Sequence, residues 1–163
     1  MYVRRSYYKW IIGAVITIGI VILGYYLVFG LAAHNISAGK EQVRQIALTK
    51  SNLKTVDTYY HLNRGVNSYA VAGNNQKGQR GYFIYLPNSK KAYYLLAKKG
   101  YSQSKILQHF SKLHPAQKIN KVNLGWYKGE AVWEVTYIKS NGKYGYAIYS
   151  FNKGKELSYI DNL

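Results

Sequence analysis

The chain has 163 residues, with 23 Lys+Arg against 6 Asp+Glu, 19 tyrosines, two prolines and no cysteine. That length holds one ordinary domain or two small ones, and the lack of cysteine excludes a disulfide framework, a thiolate nucleophile and cysteine-bound zinc. A net charge of +17 points to polyanions or anionic surfaces as partners, while so few carboxylates leave little material for acid–base or hard-metal chemistry. Residues that are 48% hydrophobic and 16% aromatic supply a core, which argues against disorder.

Residues 10–33 contain no charged side chain. At about 1.5 Å per residue they make a helix of roughly 36 Å, enough to cross a bilayer core of about 30 Å with some tilt. Tyr7, Tyr8 and Trp10 enter this stretch and Tyr25, Tyr26 and Phe29 leave it, as interfacial aromatics do. A cleaved signal peptide has an apolar stretch of only about 7–15 residues, so an uncleaved anchor is expected, although Gly30-Leu31-Ala32 resembles a cleavage site. Arg4, Arg5 and Lys9 precede the span without an acid beside them. A short basic tail usually stays in the cytoplasm, which places residues 1–9 inside and the rest of the chain outside.

Residues 40–163 carry 20 basic and 6 acidic side chains, a net +14. They match themselves without gaps at an offset of 64 residues: Gly65 falls on Gly129, Val71 on Val135, Gly78 on Gly142, Gly81 on Gly145, Tyr82 on Tyr146, Ile84 on Ile148, Tyr85 on Tyr149, Asn88 on Asn152 and Lys91 on Lys155. A constant offset through turn-forming residues is the mark of a duplication. Each unit starts with an amphipathic helix, carrying Val43, Ile46 and Ala47 in the first and Ile106, Leu107, Phe110 and Leu113 in the second. Ser102 is placed to cap the second helix and Pro115 to end it. Four strands follow, expected at about 55–62, 67–73, 80–86 and 91–97, then at about 118–127, 130–139, 143–150 and 156–161. Asn141-Gly142 is the clearest hairpin signal. Alternation predicts Trp133, Val135, Tyr146 and Ile148 on one helix-covered face, with Tyr69, Val71, Tyr82 and Ile84 on its equivalent.

The layout resembles the TseB-like cell-wall elongation regulators of Gram-positive bacteria. The residues that carry the resemblance are Tyr82-Phe83-Ile84-Tyr85-Leu86-Pro87, Val132-Trp133-Glu134-Val135-Thr136-Tyr137 and the closing hairpin at 142–155. It implies an α+β fold: an N-terminal transmembrane helix, then two tandem PepSY-like, cystatin-like α-β-β-β-β units, each a helix on a four-stranded antiparallel sheet. The units fall at 37–100 and 101–163, after a tail at 1–9 and a span at 10–33. The resemblance further implies a single-pass membrane protein that acts on a penicillin-binding protein or other cell-wall synthase, with no catalytic residue and no cofactor.

The residues add little chemistry to that. His34, His61, His109 and His114 fall into no zinc spacing. Ser-x-x-Lys occurs six times, as a Ser/Lys-rich chain makes it, without the S-D-N and K-T-G partners of a serine acyl-enzyme. Arg80-Gly81-Tyr82-Phe83-Ile84-Tyr85 echoes an RNA-recognition signature, but four strands after one helix is the wrong order, and nucleic acid is not an expected partner. Anionic wall polymers remain possible ligands of the basic outer part, and a peptidase-inhibitor-like module remains an alternative function. Gly125-Trp126-Tyr127-Lys128-Gly129 lies between two strands where the first unit has His61-Leu62-Asn63-Arg64-Gly65. Trp126, Tyr127 and Lys128 are candidates for partner contact, because aromatic residues at a hairpin tip can dominate an interface; the alternative is that Trp126 packs against its own sheet.

Overall fold

The computed structural model describes residues 4–115 and 118–161, with side chains in the first helix at 8–27 and from 39 onward. His34 and Gly30-Leu31-Ala32 lie outside the described side chains. Helix α1 (Arg4–Lys50) is continuous, so the apolar span and the first amphipathic segment are one element where the sequence suggested two. No proline falls between its ends, and a lone glycine such as Gly39 is tolerated in a long helix. Its stretch Tyr8–Leu27 has a mean hydropathy of 2.2 and buries none of its side chains, long and apolar enough to cross a membrane. Within it the Thr17 hydroxyl donates to the Gly13 carbonyl one turn back at 2.9 Å, which satisfies the polar group within the helix itself.

Residues 42–163 form a separate compact unit. After the last turns of α1 come β1 (Thr58–Asn63), β2 (Asn67–Asn74), β3 (Arg80–Leu86) and β4 (Lys91–Leu96), then helix α2 (Gln103–Leu113), then β5 (Lys118–Tyr127), β6 (Glu130–Ile138), β7 (Tyr144–Ser150) and β8 (Glu156–Ile160). The strands make two antiparallel sheets, ordered β1-β2-β3-β4 and β5-β6-β7-β8. Ser102 caps α2 by accepting from the Lys105 N–H at 3.3 Å. The His114 N–H donates to the Phe110 carbonyl at 2.8 Å, one residue before Pro115.

The 64-residue offset recurs in the backbone. Positive φ occurs at Gly65 and Gly129, at Gly78 and Gly142, and at Lys90 and Gly154. The second turn of each set closes with the same bonds: Gly78 N–H to Asn75 O and Asn75 N–H to Gln79 O in one, Gly142 N–H to Lys139 O and Lys139 N–H to Lys143 O in the other.

The faces differ from the expectation. Register pairs Trp133 with Tyr149 and Val135 with Ala147, so Tyr146 and Ile148 lie on the opposite face with Glu134 and Val132. Likewise Val71 pairs with Phe83 and Ala72 with Tyr82, which puts Tyr69 and Val71 on one face and Tyr82 and Ile84 on the other. Alternation along a strand is legible in sequence, but its phase relative to the neighbour depends on turn length, and a one-residue change inverts it. The helices do cover equivalent faces: Val43 and Ala47 of α1 pack on Val71 and Phe83, and Ile106 and Phe110 of α2 pack with Val135 and Ala147. The Tyr82/Ile84 face is buried by the second sheet, within a core that also holds Tyr60, Leu124, Trp133 and Tyr149. The Tyr60 and Tyr82 rings meet Trp133 edge-on, at 5.7 and 5.4 Å.

Close approach of the sheets needs small residues. Ser68, Ala70 and Ala72 of β2 share the face that receives β5. A Cβ at Gly125 would stand 2.4 Å from Leu62 Cβ and 2.6 Å from Ser68 Oγ, so no larger residue fits without moving the strands.

Candidate functional site

The β5–β6 hairpin is as tight as a hairpin can be. Tyr127 pairs with Glu130, leaving Lys128 and Gly129 as a two-residue turn with φ of 46° and 88°. Positive φ at both positions is the type I′ geometry that suits the twist of the flanking strands. Lys128 is exposed, and its Nζ lies 5.3 Å from the Tyr127 ring centroid, within cation–π range. Tyr127 is half-buried against the cluster of Leu62, Val132 and Ile148.

Trp126 stands differently. Its ring stacks on Tyr93 of β4 with centroids 4.0 Å apart and 13° between the planes, and its backbone N–H donates to Ser68 Oγ at 3.0 Å. Both partners belong to the first sheet, so Trp126 is a clasp between the sheets. The structure brings Trp126, Tyr127 and Lys128 together at one tip, with Lys128 presented outward and Trp126 engaged within the molecule.

The corresponding turn of the first sheet is one residue longer. Asn63 pairs with Asn67, leaving Arg64, Gly65 and Val66. Arg64 Nε donates to Glu134 Oε2 at 2.5 Å, and its guanidinium carbon lies 3.7 Å from the Tyr146 ring centroid. The Glu134 side chain is 5% exposed and that of Arg64 34%. Asn123 Nδ2 donates to the other carboxylate oxygen at 3.4 Å, leaving its own carbonyl oxygen buried with no hydrogen-bond partner among the described residues. Sequence reading missed this cluster. The available signal was an acid in the middle of an apolar strand of a chain with few acids.

The histidines pack. His114 Nε2 lies 2.7 Å from Glu156 Oε2, and its ring stacks on Tyr159 at 4.1 Å. The same carboxylate oxygen accepts from the Tyr149 hydroxyl at 2.7 Å; burial first, and then this neighbouring acid, push the Tyr149 phenol up. His61 stacks on Tyr69 at 4.6 Å. Arg80 holds the Asp57 carboxyl below its usual value, chiefly through their hydrogen bonds, one of them 2.7 Å from Nη2 to Oδ1. Among the described residues no three His, Asp or Glu side chains gather as metal ligands would.

These features define a class: an α+β protein with an apolar N-terminal helix of membrane-spanning length and two four-stranded antiparallel sheets. Within that class the chain is similar to a Bacillus subtilis (strain 168) protein named "Probable cell wall elongation regulator TseB", with 29% identity over 148 residues that cover 87% of this chain and 91% of the relative. It is also similar to the solved structure of the YpmB protein from Bacillus subtilis, with a TM-score of 0.67 and 28% identity over 75% of this chain and 96% of that one. No family model matches the chain. The resemblance to TseB-like regulators read from the residues is thus found in sequence and in structure.

Proposed function

We propose that this chain is a non-enzymatic, membrane-anchored regulator of cell-wall elongation that acts by binding a penicillin-binding protein or another cell-wall synthase. In this reading residues 1–9 are cytoplasmic, 10–33 cross the membrane, and two PepSY-like, cystatin-like units at 37–100 and 101–163 work outside the cell. The observation that carries it is the similarity, over most of both chains, to a protein named as a regulator of elongation. The order helix, four strands, helix, four strands supports the tandem reading. The role of a regulator suits a surface that binds and a chain in which four of the six acids, Asp57, Glu134, Glu156 and Asp161, are held by an arginine, lysine or histidine side chain. Lys128 and the half-open ring of Tyr127 are the proposed contact, held out on a rigid two-residue turn.

Affinity capture of the full chain from solubilised membranes tests this. Recovery of a cell-wall synthase, lost on Lys128→Glu with the fold intact, is the expected result. Recovery of a secreted protease in its place would favour an inhibitor-like module.

A further inference from the structure

An open sheet has two edges whose backbone N–H and C=O groups lack a partner strand, and proteins usually shield them. Three of the four edges here are shielded. β1 and β5 close on each other, with Leu62 against Gly125 and the Trp126 N–H on Ser68 Oγ. β8 is five residues long and its pairing with β7 is bulged at Ile148/Tyr149. Side chains also tie both of its ends, Glu156 to His114 and the Ile160 carbonyl to the Tyr137 hydroxyl at 3.1 Å. β4 occupies the place of β8 in the first sheet and has none of this. It pairs with β3 in unbroken register from Lys91 to Leu96, and among the described residues neither a loop nor a side chain bonds to its other edge.

Open space follows that edge. A cleft of about 470 Å³ is lined by Tyr94, Leu95 and Leu96 together with Asn52, Lys99, Phe151 and Asn152. Consecutive strand residues point to opposite faces, so a cleft that meets all three lies along the edge itself and not over one face. What fits such an edge is another strand, held by backbone pairing and sorted by its alternate side chains. Two copies of β4 do not suit each other. Antiparallel pairing brings Lys90 and Lys91 of one copy beside Lys98 and Lys99 of the other, and opposed like charges weaken a ladder. We infer that the β4 edge takes up an extended segment of a partner protein, apolar in its middle and acidic at both ends, as a fifth antiparallel strand. The inference does not depend on the synthase reading.

The test uses the full chain in uncharged detergent micelles and a synthetic peptide of alternating valine and threonine with an aspartate at each end. The peptide should bind and slow amide hydrogen exchange within residues 91–96 by about tenfold or more. The same peptide with every backbone nitrogen methylated keeps its charges and side chains but cannot pair, and should bind about tenfold more weakly or worse. Lys91→Glu with Lys99→Glu should weaken binding of the parent peptide by about tenfold. Lys118→Glu with Lys121→Glu changes equal charge at exposed positions on β5 and should weaken it by less than about threefold. The inference is overturned if the peptide does not bind, if exchange slows elsewhere and not in β4, or if the methylated peptide binds as the parent does. Equal losses in the two double variants overturn it as well, and so does a dimer of the free chain that the peptide dissociates, which would make a second copy the occupant.

Discussion

Arg64, in the turn between β1 and β2, reaches Glu134 in the middle of β6 at 2.5 Å, so one ion pair ties the first sheet to the second. The sequence counterpart of Arg64 at the 64-residue offset is Lys128, which stands exposed. Two equivalent basic turns thus have opposite fates: one closes the molecule and the other stands exposed at the surface.

Removing one member of that pair strands the other. Arg64→Met leaves a nearly buried carboxylate whose remaining hydrogen-bond donor among the described residues is Asn123, and denaturant unfolding should show a loss of about 1–3 kcal/mol, below the full cost for a deeply buried pair because Arg64 is partly exposed. Adding Glu134→Gln to Arg64→Met should recover part of the loss. A double variant that falls by the sum of the single losses would show that the two residues do not interact.

At Gly125 the expected effect is steric. Gly125→Ala puts a methyl into the space of Leu62 and Ser68, and overpacking of this kind costs about 1–3 kcal/mol. Unchanged thermal stability would mean that β5 does not lie this close to the first sheet.

Trp126→Ala and Lys128→Ala should separate structure from contact. Loss of the Tyr93 stack and of the ring's packing should lower the stability of Trp126→Ala by about 2–4 kcal/mol, discounted from full aromatic truncation because the ring is half-buried. Lys128→Ala should leave the melting temperature within about a degree, a surface change of under 0.5 kcal/mol, and weaken partner capture. The reverse pattern would make the tip a structural turn.

Alkali should act on the core through its tyrosines. Burial first, then the neighbouring Tyr69 phenol for Tyr59 and Tyr82 for Tyr60, push both hydroxyls up to about 12 from 10.0. A folded-state value above the unfolded one gives stability that is complete below pH 10.0 and is lost as pH rises through about 12. Tyr60→Phe should therefore shift alkaline unfolding to higher pH, followed by tyrosinate absorbance and circular dichroism. Acid acts oppositely at Asp57: its lowered value gives stability present above pH 3.8 that is lost as pH falls through the folded value. Asp57→Asn should abolish that component, which is below about 1 kcal/mol for so exposed a pair.

The anchor is tested on cells. Membrane fractions should retain the intact N-terminus, and protease added outside should digest residues 40–163. A mature form beginning near Ala33 in the medium would contradict an uncleaved anchor.

Much of this molecule was written locally. The charge-free run at 10–33, the Ser102 cap, and the strands at 80–86 and 118–127 follow from hydropathy, capping and β-propensity, each set by a few neighbouring residues. Two of the glycine pairs that recur at the 64-residue offset, Gly65/Gly129 and Gly78/Gly142, carry turns for the same reason, since the local backbone decides where φ is positive. What lies between segments was not legible. Which face Tyr82 and Tyr146 occupy depended on register. Trp126 finding Tyr93, and Arg64 finding Glu134, depended on how one sheet crosses the other, which small side chains at Ser68, Ala70, Ala72 and Gly125 permit. Those contacts join residues 33 and 70 positions apart, and only the packed structure brings them within reach.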